Sequence, residues 1–296
     1  MRNTFVCTTF VQPLHLFTSI DYHVIIVLQK RSFNSVLPLE HHFLRTWFDR
    51  VCGQTTHSRS ELSSKGIQVD VTQHKARLRH YFDGVGFARW SAIYGDAKLS
   101  VVRNTIRAGH NVMLRVADSW VGEAFPSAHG LTALDAGCGT GLFSLALARR
   151  GFKVASSDLA PQMAAATARA AAAAGLSDRV SCWASDLESI TGSYDLVNCF
   201  DVLIHYPAEP FVAMLSHLAS LCRGTLLFTY APYSAFLAGM HRVGGYFPHS
   251  QRRTDIQMIR DTTVRQALAD SGMRFRRAER VGKGFYHVML VEASRG

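Results

Sequence analysis

The chain has 296 residues, of which 48% are hydrophobic and 18% charged, with a formal net charge of +10. That balance excludes an intrinsically disordered polymer, and no apolar run reaches the roughly 20 residues that cross a bilayer. The length accommodates one domain of about 200 residues plus extra segments. The basic excess lies outside residues 121–241, which are net acidic. This distribution suits anionic ligands or an anionic membrane surface. No RNA- or DNA-binding motif accompanies it, so nucleic acid is not an expected partner. The six cysteines are scattered, with no CxxC pair and no Cys/His cluster of metal-ligand spacing. They read as buried free thiols.

In chain order, residues 1–70 lack periodicity, are poor in acids and are rich in Ser, Thr, His and Phe. A leader is expected there, such as a transit peptide or a disordered tail. Residues 71–125 form a helical arm, with Val102, Ile106, His110, Met113 and Val116 at spacings of three and four. From 126 to 232 strands and helices alternate. Leu131–Gly137, Lys153–Asp158, Arg179–Asp186, Tyr194–Leu203 and Gly224–Pro232 read as strands. Leu142–Arg150, Pro161–Gly175 and residues 208–222 read as helices, two of them bounded by glycine or proline. An irregular insertion over 233–260 precedes a helix near 261–271 and a terminal hairpin. The expected fold is α/β and Rossmann-like: a seven-stranded mixed sheet, helices on both faces, a C-terminal β-hairpin and aromatic lid segments.

The most informative stretch is LDAGCGTG, with Asp135, Gly137, Gly139 and Gly141. Glycines after a strand let backbone approach a ligand at a helix N-terminus. A second acid, Asp158, closes the next strand, where an acid meets ribose hydroxyls in a doubly wound sheet. The dinucleotide pattern GxGxxG would need a glycine at Leu142, so the ligand is a different nucleoside. D-x-G-x-G-x-G resembles the S-adenosylmethionine site of class I methyltransferases. The resemblance implies that Asp135 helps hold the amino-acid end of the cofactor. It also implies that Asp158 and Leu159 flank the ribose, and that Asp186 with Leu187 meets the adenine. Asp201 shapes the pocket. His110 and Arg107 reach the cofactor carboxylate.

Four stretches narrow the resemblance: YFDGVGFARWSAIYGD (Tyr81–Asp96), IRAGH (Ile106–His110), DLESITGSYDLVNCFDVLIHYP (Asp186–Pro207) and LFTYAPYSAFLAGMHRVGGYFP (Leu227–Pro248). Together they are similar to the magnesium protoporphyrin IX methyltransferases of chlorophyll synthesis, from about Lys75 to Glu292. A magnesium porphyrin is broad and apolar with propionates at one edge, so it calls for aromatic walls and cations. Tyr81, Phe82, Phe87 and Trp90 form one expected flap. Tyr233, Phe236 and Met240 form the other, and Tyr206 is a further expected pocket-lining residue. Arg89, Arg107, Arg242 and Arg252 are candidates for the propionates.

The implied reaction is attack of a propionate oxygen on the cofactor's methyl carbon. A carboxylate is already ionised at neutral pH, so no strong base is required, and a dry pocket favours charge neutralisation. His205 is the expected catalytic residue: it orients the propionate, accepts a residual proton or touches the magnesium axially. Tyr94 is the second choice, as a hydrogen-bonding clamp. No metal site is expected from protein ligands, since the magnesium belongs to the substrate. The resemblance further implies a plastid enzyme at thylakoid or envelope membranes, or one in a photosynthetic bacterium. It also implies contact with the magnesium chelatase. A quinone or phenol O-methyltransferase and a non-catalytic cofactor-binding protein are the alternatives.

Overall fold

Strands and helices alternate from Thr132 onward because short apolar runs are broken by turn residues, glycine and proline among them. The structure, a computed structural model, describes residues 71–94, 99–233 and 256–296. The leader expected over 1–70 lies outside the described residues, as do Phe236, Met240, Arg242 and Arg252 of the expected insertion.

The helical arm is three helices: α1 (Val71–Asp83), α2 (Val85–Tyr94) and α3 (Val101–Ala124). Ser100 caps α3, its side chain accepting from the amide of Arg103. The buried stripe of α3 is Gly109, His110, Met113, Ala117, Trp120 and Val121. Thus the expected positions His110 and Met113 face inward, while Val102, Ile106 and Val116 are half-buried. There follow β1 (Thr132–Ala136), α4 (Leu142–Arg150), β2 (Lys153–Asp158), α5 (Pro161–Ala173) and β3 (Val180–Ala184). Then come β4 (Tyr194–Cys199), α6 (Ala208–Leu221) and β5 (Cys222–Pro232). The chain closes with β6 (Met258–Ile259), α7 (Asp261–Asp270), β7 (Met273–Lys283) and β8 (Tyr286–Arg295).

The sheet runs β3-β2-β1-β4-β5-β8-β7, with the two-residue β6 added beside β5. The first five strands are mutually parallel, and β8 is antiparallel to both β5 and β7. One core packs α3, α4 and α5 against the sheet through Met113, Phe143, Leu147 and Ala171. The other packs α6 and α7 through Phe211, Leu215, Val264 and Leu268. This is the expected class I methyltransferase fold.

One strand is shorter than its composition suggests. The apolar run continues to Leu203, but β4 stops at Cys199. Asp201 then takes φ +57°, a left-handed backbone uncommon outside glycine, and turns the chain out of the sheet. The four described cysteines, Cys138, Cys182, Cys199 and Cys222, carry free thiols. Among the described residues no helix is long and apolar enough to cross a membrane.

Candidate active site

The glycine motif forms the bend between β1 and α4. The amides of Gly137 and Cys138 both donate to the carbonyl of Ser157, at 2.7 and 3.0 Å. The bend is thereby tied to the end of β2. Gly137 holds φ +85°, and a Cβ there would stand 2.1 Å from Val202 Cγ2. Gly141 holds φ +86° and caps α4, and a Cβ there would meet Thr167 Cγ2 at 2.8 Å. Glycine is therefore required twice, by conformation and by space. Gly139 lies between them at φ +55°.

Asp158 belongs to this bend. Its Oδ2 accepts from the amide of Gly139 and its Oδ1 from that of Ala160, both at 2.9 Å. Burial pushes its carboxyl up to about 6, against the pull of those two N–H groups. Ser157 Oγ, one residue earlier, is buried with no hydrogen-bond partner among the described residues. A cradle that side chains would fill and an orphaned buried hydroxyl fit a polar, flat-edged ligand such as a nucleoside.

Asp135 departs from expectation. Its side chain is not presented to a ligand, for it is only 3% exposed. Oδ2 accepts from Ser144 of α4 at 2.5 Å and Oδ1 from Asn198 of β4 at 2.6 Å. Ser156 of β2 donates in turn to Ser144, at 3.0 Å. The acid thus ties three strands and a helix together beneath the bend. Its carboxyl is raised by burial and partly restored by these donors. Ser144 and Asn198 were not expected in the site. Their only sequence signal is a polar residue on an otherwise apolar helix face and strand.

Helix α1 lies across the carboxyl ends of three strands. Asp83 accepts from the amide of Gln162 at 3.0 Å, at the start of α5 after β2. Beyond β3, Arg79 pairs with Asp186 at 3.3 Å and Lys75 with Glu188 at 2.5 Å. Beyond β4, His74 Nε2 donates to the carbonyl of His205 at 2.8 Å. The ring of Phe82 lies 5.7 Å from that of His205, with Tyr81 edge-on to Phe82 at 5.0 Å. The expected flap residue Phe82 therefore meets the expected catalytic histidine, with Tyr81 packed behind it. His74, Lys75 and Arg79 anchor this cover and were not expected; only their helical spacing marks them.

His205 ends a tight turn, Leu203–His205, and is buried. Leu159 and Leu187 pack half-buried against the core beside the acids they follow. Phe87, Arg89 and Trp90 are half-buried on α2, and Tyr94 is its last residue.

Two further expectations are corrected. Arg107 does not face a ligand carboxylate: its Nε and Nη2 donate to the carbonyls of Ile93 and Ala92 at 2.6 and 2.7 Å, closing the C-terminus of α2. His110 stands close to Asp201, with Nε2 3.9 Å from Oδ2 and its ring edge-on to Tyr286. Burial lowers its basicity and Asp201 partly restores it. Tyr206 is 5% exposed and packs in the core against His74, not along an open slot. Tyr233 is exposed, with the guanidinium of Arg260 5.0 Å above its ring.

Asp201 itself sits deep in the polar cluster behind the bend. It accepts from Thr229 Oγ1 at 3.1 Å and from the Tyr286 hydroxyl at 3.1 and 2.9 Å. Its carboxyl is raised by burial and pulled back by His110, Tyr286 and Thr229.

Comparison with known proteins agrees with this geometry. Residues 199–295 match the family model described as magnesium-protoporphyrin IX methyltransferase C-terminus, and residues 133–224 match a methyltransferase domain. The chain is 36% identical over 222 residues to the magnesium-protoporphyrin O-methyltransferase of Synechocystis, covering 75% of this chain and 96% of the relative. It is 36% identical over 226 residues to the chloroplastic magnesium protoporphyrin IX methyltransferase of Arabidopsis thaliana, covering 74% of this chain and 70% of that one. A crystal structure of the Synechocystis enzyme with bound S-adenosylhomocysteine superposes with a TM-score of 0.68. It is 34% identical, over 75% of this chain and 100% of that one. On fold, glycine bend and relatives alike, the chain belongs to the magnesium protoporphyrin IX methyltransferases.

Proposed function

We propose that this chain transfers a methyl group from S-adenosylmethionine to a propionate carboxylate of magnesium protoporphyrin IX, giving the monomethyl ester. One observation carries the reading: Gly137 of the bend and Val202 of the His205 turn are in such close contact that a single methyl would not fit between them. The cofactor side and the acceptor side of the site are thereby one unit. S-adenosylmethionine, where bound, supplies an electrophilic methyl carbon on a cationic sulfur.

The residues around it bind and orient. Gly137, Gly139 and Gly141 give the cofactor close access to backbone. Asp158 turns from the amide of Gly139 to the ribose hydroxyls, and Asp186, held by Arg79 through Oδ1, offers its other oxygen to the adenine amine. Asp135 acts through the strands it ties rather than by contact. Phe82, backed by Tyr81, covers His205 and excludes water, which strengthens attraction between the ionised propionate and the sulfonium. His205 orients the propionate, and Tyr94 assists from the end of α2. Phe87, Trp90, Tyr233, Phe236 and Met240 wall the porphyrin. Positioning supplies most of the acceleration, since the acceptor needs no deprotonation at neutral pH.

The test is direct. Pure protein incubated with magnesium protoporphyrin and methyl-labelled cofactor should yield a labelled monomethyl ester. Cofactor binding without turnover would overturn the reading. We place the enzyme in a plastid, or at the membrane surface of a photosynthetic bacterium. Peripheral membrane contact and contact with the chelatase that delivers the substrate complete the proposal. Co-sedimentation with anionic vesicles and pull-down with the chelatase subunits test these.

A further inference from the structure

The turn that carries His205 begins at a strained residue with an unusually heavy set of anchors. Asp201 holds φ +57°, a conformation that persists in a non-glycine residue only when its surroundings impose it. Its amide donates to Thr229 Oγ1 at 2.7 Å, and its carboxylate accepts back from the same hydroxyl at 3.1 Å. The Tyr286 hydroxyl reaches both carboxylate oxygens, at 2.9 and 3.1 Å. Tyr286 opens β8, far from the bend in sequence. Its ring fills the space left by Gly109 of α3, where a Cβ would stand 2.5 Å from Tyr286 Cδ1. Downstream of Asp201, Val202 packs on Gly137, and the amide of His205 donates to the carbonyl of Val202 at 3.1 Å.

We propose that Tyr286 is a positioning residue for methyl transfer, setting the place of His205 by gripping Asp201. The chain of cause is short. The tyrosine fixes the carboxylate, the carboxylate fixes the left-handed backbone, and that backbone sets Val202 and the turn ending at His205. Because Val202 bears on Gly137, the same grip aligns the acceptor side with the cofactor bend. The inference rests on the proposed placement of His205 at the reacting atoms. It assigns no contact between Tyr286 and either substrate.

A double-mutant cycle tests it. Displacement of reacting groups by about 1 Å costs on the order of 100-fold in rate. Tyr286→Phe keeps the ring and removes the grip, so kcat should fall between about 10- and 100-fold. KM for the porphyrin and cofactor affinity should stay within about threefold, which loss of general folding would not leave untouched. Asp201→Gly accepts the positive φ without strain and also loses the grip, so its kcat should fall similarly. In the Asp201→Gly background, adding Tyr286→Phe should cost less than about twofold more. Multiplying losses, or a Tyr286→Phe enzyme with wild-type kcat, would overturn the proposal. Should Tyr286→Phe fail to fold, Asp201→Gly alone decides, because wild-type kcat there is equally fatal. A wild-type protein that forms no ester overturns the function reading, whereas an active wild type with an equally active Tyr286→Phe overturns this inference alone.

Discussion

Gly137→Ala isolates the contact on which the site is built. A Cβ at Gly137 would lie 2.1 Å from Val202 Cγ2, where carbon atoms normally rest about 3.5–4.0 Å apart. One side must move by about 1.5 Å. The backbone adds its own cost, since alanine at φ +85° sits in left-handed space, worth about 1–2 kcal/mol. Overpacking of this kind costs a further 1–3 kcal/mol, roughly. The total is about 2–5 kcal/mol, and relaxing the clash shifts the bend or the His205 turn. Gly175→Ala is the control: it has φ +67° but nothing within 4 Å, so only the backbone cost of about 1–2 kcal/mol remains. Gly137→Ala should therefore lower stability in denaturant melts by about 1–3 kcal/mol more than Gly175→Ala, and weaken cofactor binding at least about 10-fold in calorimetry. Pairing it with Val202→Ala removes Cγ2 and leaves the next atom, Val202 Cβ, at 3.4 Å. Much of the stability should return. Unchanged cofactor affinity in Gly137→Ala, or no recovery in the pair, would refute the reasoning.

Other outcomes follow from the same geometry. Asp158 has a folded value of about 6, above the ordinary 3.8, so its ionisation opposes folding. That cost is absent below about pH 4 and grows as pH rises through 6, to about 3 kcal/mol. Because both Asp158 oxygens accept from backbone amides, Asp158→Asn should cost less stability at pH 8 than at pH 4 in the cofactor-free protein, and weaken the cofactor at least about 10-fold if the carboxylate meets the ribose. His205→Ala should lower kcat by about 100-fold or more and move the cofactor Kd by less than about threefold, read from single-turnover assays and calorimetry. Equal loss of both would remove its assigned role. The ion pairs Lys75–Glu188 and Arg79–Asp186 are partly exposed and together worth no more than about 2 kcal/mol. Lys75→Ala with Arg79→Ala should quicken cofactor release up to about 30-fold in stopped flow, and high salt should do the same to the wild type. A release rate unaffected by either treatment would show that α1 does not cover the bound cofactor.

The local signals carried the architecture. Period, glycine and proline fixed much of the order of strands and helices, because helices such as Leu142–Arg150 and Pro161–Ala173 are bounded by residues that permit little else. The LDAGCGTG bend was legible for the same reason: its glycines answer to backbone conformation, a property of the chain itself. Where a side chain's partner is distant, the sequence was silent or misleading. Asp135 carries the right charge for a ligand contact, yet Ser144 and Asn198 enclose it, and only the parallel pairing of β1 with β4 brings Asn198 there. Arg107 and His110 sit on the expected helix, but the packing of α3 turns one to the end of α2 and the other to Asp201. The apolar run after Tyr194 reads as one long strand, yet the chain turns at Asp201, which is bonded to Thr229 and to Tyr286, 85 residues later. By itself the sequence determined which elements form and what class of ligand the bend accepts, since these depend on neighbours along the chain. Tertiary structure alone decided which acids are enclosed and what Asp201 bonds to, since burial and hydrogen-bond partners exist only once separate strands and helices meet.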